Sequence, residues 1–423
     1  MFQVMSASWA LFLGMFMLMI GNGLQGTLLG LRGEVEGFST LALSIVMSAY
    51  FVGFLFSSRL TPELIRRVGH VRVFAALGST ISAVLILYPL LVEPWAWTLG
   101  RVIIGFCFCG VYVTAESWLN DASSNETRGK ALSLYLMVQM AGIVLAQFIV
   151  AQGDVSGYAL FIIPSVLVSL AFAPILLSIR PMPQFEQTKP MTIRRLIEAS
   201  PLGCVGMFLL GGVFASQFGM SAIYGTRIGL SVSQVSLFVS VIYVSALVAQ
   251  YPIGWLSDRL DRRNLIMAVG VIGGFGALLA YFMTDNFTVV LISAAILGGT
   301  SNPLYALLIA YTNDYLERDD MAAASGGLLF INGIGAIAGP LIVGWMMDTL
   351  GANGYWMFSA VLMFLMGGYA AYRMTRRSRA DIDVDDAVSY AAISATSTPI
   401  VAEVAQEVYS DAEEESLESE PSL

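Results

Sequence analysis

The 423 residues are 57% hydrophobic and only 12% charged, with a mean hydropathy of +0.75, which excludes a water-soluble globule because too few polar groups exist to cover it. The net charge of −9 belongs to the end of the chain, since twelve acidic and no basic residues follow Arg379 and the part before them carries about +3. A single histidine, His70, and three cysteines in apolar surroundings, Cys107, Cys109 and Cys204, cannot assemble a His-based metal cluster or catalytic triad, so neither metal, cofactor nor enzymatic activity is expected.

Apolar runs long enough to cross a bilayer as helices recur twelve times, at about 7–30, 40–60, 71–92, 95–119, 131–151, 158–179, 200–225, 232–257, 264–284, 287–311, 321–347 and 354–375. Stretches such as Ala159 to Ile179 are apolar throughout and lack the alternation of barrel strands, so the expected class is an all-α membrane protein. The first run follows no basic region and is too long for a signal-peptide core; it is expected to remain as a membrane helix.

The two halves repeat at an offset of 193 residues: Tyr50 matches Tyr243, Gly105 matches Gly298, Tyr112 matches Tyr305, Asn120-Asp121 matches Asn313-Asp314 and Gly142 matches Gly335. Parallel copies of this kind build two-bundle transporters with a site between the halves. The expected division is an amino-terminal six-helix bundle at 1–180, a cytoplasmic linker at 181–199, a carboxy-terminal six-helix bundle at 200–375 and an acidic disordered tail at 376–423.

Of the 21 basic residues, all but Arg32, Arg101 and Arg227 fall in alternate loops or after the last run, which the positive-inside rule places in the cytoplasm together with both termini. Arg32 votes the other way, but Glu34 and Glu36 accompany it.

Segment 4 contains Arg101 six residues inside its outward end, where a charge must face a partner or a water-filled cavity, or else snorkel to the headgroups. Glu116 lies fifteen residues later, about 22 Å along the helix, and is the candidate proton carrier; its alternative is a salt bridge to the arginines between segments 2 and 3. Segment 11 carries Gly339-Pro340, a pair that permits bending.

Between segments 8 and 9 stands Gly254-Trp-Leu-Ser-Asp258-Arg259-Leu-Asp261-Arg262-Arg263. It resembles the G-x-x-x-D-[RK]-x-G-[RK]-[RK] loop of the major facilitator superfamily, with Asp261 in place of the usual glycine. The amino-terminal copy keeps Arg66, Arg67 and Gly69 but has Ile65 where Asp258 stands. The resemblance implies that these loops gate the cytoplasmic side, with the alternative that they only set topology.

It also implies that segments 1, 4, 7 and 10 line a central cavity. In this sequence those segments carry Asn22, Gln25, Tyr112, Gln217, Asn302 and Tyr305, to which Arg101 is added. Segments 5, 8 and 11 contribute Gln139, Gln147, Gln250 and Asn332, each of which equally suits bonding between helices.

The resulting expectation is alternating-access transport of a small polar or amphipathic solute across a bacterial-type inner membrane, coupled to protons through Arg101 and Glu116, with some anionic character in the ligand. The partners are the solute, protons and the lipid bilayer, and not nucleic acid. No G-x-x-x-x-G-K-[ST] loop supports ATP-driven pumping. A facilitative uniporter and a non-transporting receptor or scaffold are the rival readings.

Overall fold

A computed structural model describes residues 2–121, 125–176 and 191–376. The expected tail from residue 377, the expected linker up to residue 190 and the side chains of Asn120, Asp121 and Arg128 lie outside the described residues. Within them there is no strand. The helices are α1 (Phe2–Val35), α2 (Thr40–Val68), α3 (His70–Leu87), α4 (Pro94–Asp121), α5 (Asn125–Gln152), α6 (Ala159–Leu176) and α7 (Ile193–Ala199). They continue with α8 (Pro201–Ala215), a π turn (Ser216–Met220), α9 (Ser221–Arg227), α10 (Val232–Ser257), α11 (Arg262–Phe282), α12 (Phe287–Asn313), α13 (Arg318–Leu350) and α14 (Gly354–Arg376).

Each expected segment becomes a helix, and eleven spans are long and apolar enough to cross a membrane, with α6 the shorter twelfth. Phe56, Phe148, Val248, Phe275 and Trp345 stand more than half exposed on their outer faces, which only lipid can cover. The chain is an integral, multi-pass membrane protein.

Several boundaries differ from the sequence expectation for identifiable reasons. The second span runs on to Val68 because Arg66 and Arg67 both reach back to Glu63 at 2.7 Å and support the last turn. Gly69 then turns the chain at φ +84°, a conformation a side chain would strain. Short helix α7 forms inside the expected linker, capped by Thr192 and seated through buried Leu196. The seventh span is not one α-helix: the π turn separates α8 from α9. Pro340 lies inside a continuous α13, and a side chain added at Gly339 would meet the Gly212 carbonyl at 2.8 Å.

The repeat has a packing cause. A Cβ at Gly105 would lie 1.9 Å from the Tyr50 carbonyl where α4 crosses α2, and one at Gly298 would lie 2.3 Å from the Ile242 carbonyl where α12 crosses α10. Gly142 and Gly335 stand likewise at the α5–α1 and α13–α8 crossings. The matched glycines therefore mark matched helix contacts within each bundle.

The bundles meet along α1 with α9, α2 with α13 and α5 with α10. At the end opposite the arginine-rich loops, Arg227 at the foot of α9 donates to Glu34 on α1 at 2.9 Å and to Asp348 on α13 at 3.3 Å. Thr40 on α2 donates to the same Asp348, and Ser48 donates to the Ile337 carbonyl at 2.5 Å. That face is closed by contacts between bundles.

Candidate functional site

Arg101 is fully buried on α4, so it does not snorkel to the headgroups. A guanidinium only donates, which fixes the orientation of what it touches. Its Nη1 donates to Gln25 Oε1 at 2.9 Å, and the Gln25 amide nitrogen then donates to Asn22 Oδ1 at 3.0 Å. Asn22 in turn donates to the Tyr112 hydroxyl at 2.8 Å, and that hydroxyl donates to Met19 Sδ at 3.2 Å. Four of the residues expected from the sequence thus form one chain between α1 and α4, and every bond in it points away from Arg101. Such directional chains hold polar groups rigidly in a low dielectric.

The rest of the guanidinium has aromatic company. Its carbon lies 4.7 Å from the Tyr50 ring centroid and 5.9 Å from that of Phe218, while Nη2 approaches Met47 Sδ at 3.7 Å. Gln25 and Phe218 are themselves 193 residues apart, so Arg101 touches both members of a repeat pair, one in each bundle. Cation–π contact partly compensates the buried charge but does not neutralise it. Among the described residues no carboxylate pairs with Arg101, and its Nε has no hydrogen-bond partner.

Glu116 is buried one turn beyond Tyr112 on the same face of α4, and it accepts from the Tyr135 hydroxyl of α5 at 3.3 Å. Gln139, one turn along α5 from Tyr135, is fully buried, with neither amide atom hydrogen-bonded among the described residues. Of the arginines between segments 2 and 3, which include Arg59 and Arg72, Arg66 and Arg67 bind Glu63 and Arg59 lies 4.4 Å over the Phe330 ring. The chain that starts at Arg101 passes through Tyr112, one turn of α4 short of Glu116, and ends at Met19, so the two charged residues do not meet.

In the other bundle the π turn presents Gln217 to Ser301 of α12, and the two exchange bonds of 2.9 and 3.3 Å. Asn302 donates to the Gly298 carbonyl of its own helix at 3.5 Å, while Tyr305 is buried one turn further along α12. Asn332 on α13 donates to the Met207 carbonyl at 3.0 Å and also borders a cavity of about 30 Å³ between α2, α8 with its π turn, and α13. Five of its eleven lining residues are aromatic: Tyr50, Phe51, Phe54, Phe214 and Phe218. Gln147 bonds to Thr27 at 2.9 Å and to the Gly23 carbonyl at 3.3 Å, and so ties α5 to α1.

Sequence reasoning missed Tyr50, Phe218, Met47, Ser301 and Tyr135 as site residues. In an apolar chain an aromatic or a methionine inside a helix carries no signal of its own. The offset did hold one clue, since Phe218 is the counterpart of Gln25.

The two expected gating loops differ. Arg262 is buried and donates to Ser257 at 3.2 Å, to the Ala310 carbonyl at 3.2 Å and to Asp314 at the end of α12. Arg263 binds Asp261 at 2.7 Å, and Asp261 caps α11. Arg259 lies 4.2 Å over the Trp255 ring, Asp258 stands exposed at the end of α10, and Gly254 is buried one turn before it. In the amino-terminal loop Arg66 and Arg67 are exposed, and His70 inside it meets Ser117 at 3.1 Å.

A family model described as Major Facilitator Superfamily matches residues 11–201 and again 202–400. An MFS-type transporter named YcaD, from Escherichia fergusonii, is 26% identical over 356 residues, which cover 83% of this chain and 92% of that one. A mutant of the nucleoside transporter NupG superposes with a TM-score of 0.74 at 15% identity, over 86% of this chain and 99% of that one. A bacterial homologue of the human lysosomal transporter Spinster, solved inward-facing and unoccupied, gives 0.67 at 17% identity, over 99% and 98%.

Proposed function

The chain belongs to the Major Facilitator Superfamily, and from that premise we propose that it is a proton-coupled secondary transporter of a small solute, working by alternating access in a bacterial-type inner membrane. The observation that carries this reading is the Arg101–Gln25–Asn22–Tyr112 chain, which holds a buried, carboxylate-free cation beside the junction of the two bundles. Rocking of the bundles would take Phe218 away from Arg101 while Gln25 travels with it, so the cation would be exposed to solute in one state and covered in the other.

With the arginine-rich loops in the cytoplasm, the face sealed by Arg227, Glu34 and Asp348 is the outer one. We place the junction between bundles at 181–199, around the short helix α7. The amide chain is a positioning device, because amides bonded in one direction do not relay protons. Glu116, with Tyr135 as its donor, is the proton-carrying group.

The test uses purified protein in proteoliposomes with a trapped pH-sensitive dye, to which panels of sugars, nucleosides, amino acids and organic acids are added. A solute that shifts internal pH in the wild type but not in Glu116→Gln is expected. Solute uptake with no movement of protons would remove the coupling and leave a uniporter; no uptake of any kind would favour a receptor.

A further inference from the structure

We propose that the cavity between α2, the π-turn region and α13 binds the solute, and that the solute is an aromatic organic anion whose ring occupies the cavity while its anionic group pairs with Arg101. The inference rests on the transport reading and specifies its substrate class.

Three observations converge. The first is the wall: Tyr50, Phe51, Phe54, Phe214 and Phe218 surround the space, and its polar contributions come from Asn332 and the Ser58 hydroxyl. In this closed state the space amounts to about 30 Å³, so a ring enters only as the two bundles part. Ring-lined walls favour a flat apolar body through stacked and edge-on contacts, whereas a sugar would leave its hydroxyls unpaired there.

The second is the charge. Tyr50 and Phe218, whose centroids are 5.4 Å apart, belong to the cavity wall and to the Arg101 cage at once. They stand between the cavity and a fully buried guanidinium that has no carboxylate partner among the described residues. A buried cation held only by an amide, a thioether and two rings is electrostatically incomplete, and a ligand carboxylate, sulfonate or similar group would complete it.

The third is ownership of the wall. Tyr50, Phe51, Phe54 and Ser58 come from one bundle, while Phe214, Phe218 and Asn332 come from the other. A ligand in this space touches both bundles, and separating Phe218 from Tyr50 opens the route from cavity to cation. The Tyr50 hydroxyl, buried and without a hydrogen-bond partner among the described residues, is a further donor near that route.

Equilibrium binding to the full chain in lipid nanodiscs tests the proposal, with benzoate, phenylacetate, indole-3-acetate and 2-naphthoate each paired with its neutral amide. At least one acid is expected to bind about tenfold or more tightly than its amide. Phe54→Ala should weaken acid and amide together, and Arg101→Gln should erase the difference between them. Should Arg101→Gln fail to fold, Gln25→Glu keeps the arginine and supplies it with an internal carboxylate, and the same loss of acid preference is expected.

Equal binding of every acid and its amide, or acid binding unchanged by Phe54→Ala, overturns the proposal, as does failure of all four acids to bind. Displacement of a bound acid by a zwitterionic lysophospholipid, with Arg101→Gln indifferent, would reassign the cavity to lipid and overturn it equally. These measurements need no gradient or flux, so their failure is distinct from failure of the dye assay that tests transport.

Discussion

Glu34 and Arg227 occupy the same position in the two copies of the repeat, 193 residues apart, and bind each other at 2.9 Å. A residue that meets its own counterpart lies near the pseudo-twofold axis, and here the two copies have opposite charges. The two copies thus pair through one position that carries opposite charge in each. Gly30 against Ala222 of α9 and Gly26 against Phe218 of the π turn continue the same close seam along α1.

The pair is partly exposed, with side chains 25% and 17% accessible, and is expected to contribute about 1 kcal/mol to closure. Arg227→Ala should therefore raise the labelling rate of a thiol placed at Ser44, under the closed face, by roughly fivefold. The double exchange of Glu34 to Arg and Arg227 to Glu, made together with Asp348→Asn so that the new Glu meets no like charge, should return the rate toward that of the parent. An unchanged rate in Arg227→Ala would mean that the pair does not close this face.

Removing the middle of the polar chain should be costly. Gln25→Leu leaves both Arg101 Nη1 and Asn22 Oδ1 without their partner, at about 1–3 kcal/mol for each orphaned group. A clear fall in the unfolding temperature of the detergent-solubilised protein, followed by tryptophan fluorescence, is the expected outcome. Gln234→Leu, on the exposed first turn of α10, removes only half a capping box and should shift it far less.

The matched glycines can be tested against an unmatched one. Gly105→Ala and Gly298→Ala each force a methyl into a carbonyl of the neighbouring helix and should separate α2 from α4 and α10 from α12. Gly368 has nothing within 4 Å of where its Cβ would stand, so Gly368→Ala should be neutral or slightly stabilising, by up to about 1 kcal/mol from helix propensity. Yield of monodisperse protein and thermal stability would separate the two classes.

The two arginine-rich loops should respond unequally. Arg262 is 5% exposed and joins the end of α12 through Asp314, so Arg262→Ala breaks a buried pair and is expected to cost about 3 kcal/mol or more. Arg66, 69% exposed and paired among the described residues with Glu63 on its own helix, should lose less than about 0.5 kcal/mol when replaced by Ala. Denaturation of the two variants side by side would settle the order.

The helical scaffold was legible because hydropathy and the offset both speak at the level of whole segments. Asn22, Gln25 and Tyr112 are singled out by the superfamily resemblance and Arg101 by its depth in an apolar run, and the four stand in one hydrogen-bonded chain. What the sequence did not reveal depends on rotation about helix axes and on spacing between bundles. Nothing local marks Tyr50 as the ring beside Arg101, or Phe54 as a cavity wall rather than a lipid-facing residue. The boundary charges Glu34 and Arg227 read only as loop residues, since their pairing exists only once both copies are folded together.

The π turn at Ser216–Met220 carries a consequence for the span it interrupts. Gln217, which holds Ser301, and Phe218, which faces Arg101, both sit inside it, and Arg227 stands nine residues beyond Phe218 on the same rod. A widened turn is one surplus residue in a helix, a feature frequent at functional sites. The latch at the membrane surface and the ring beside the buried cation are therefore carried by one span, with the widened turn placed where that span meets the cation.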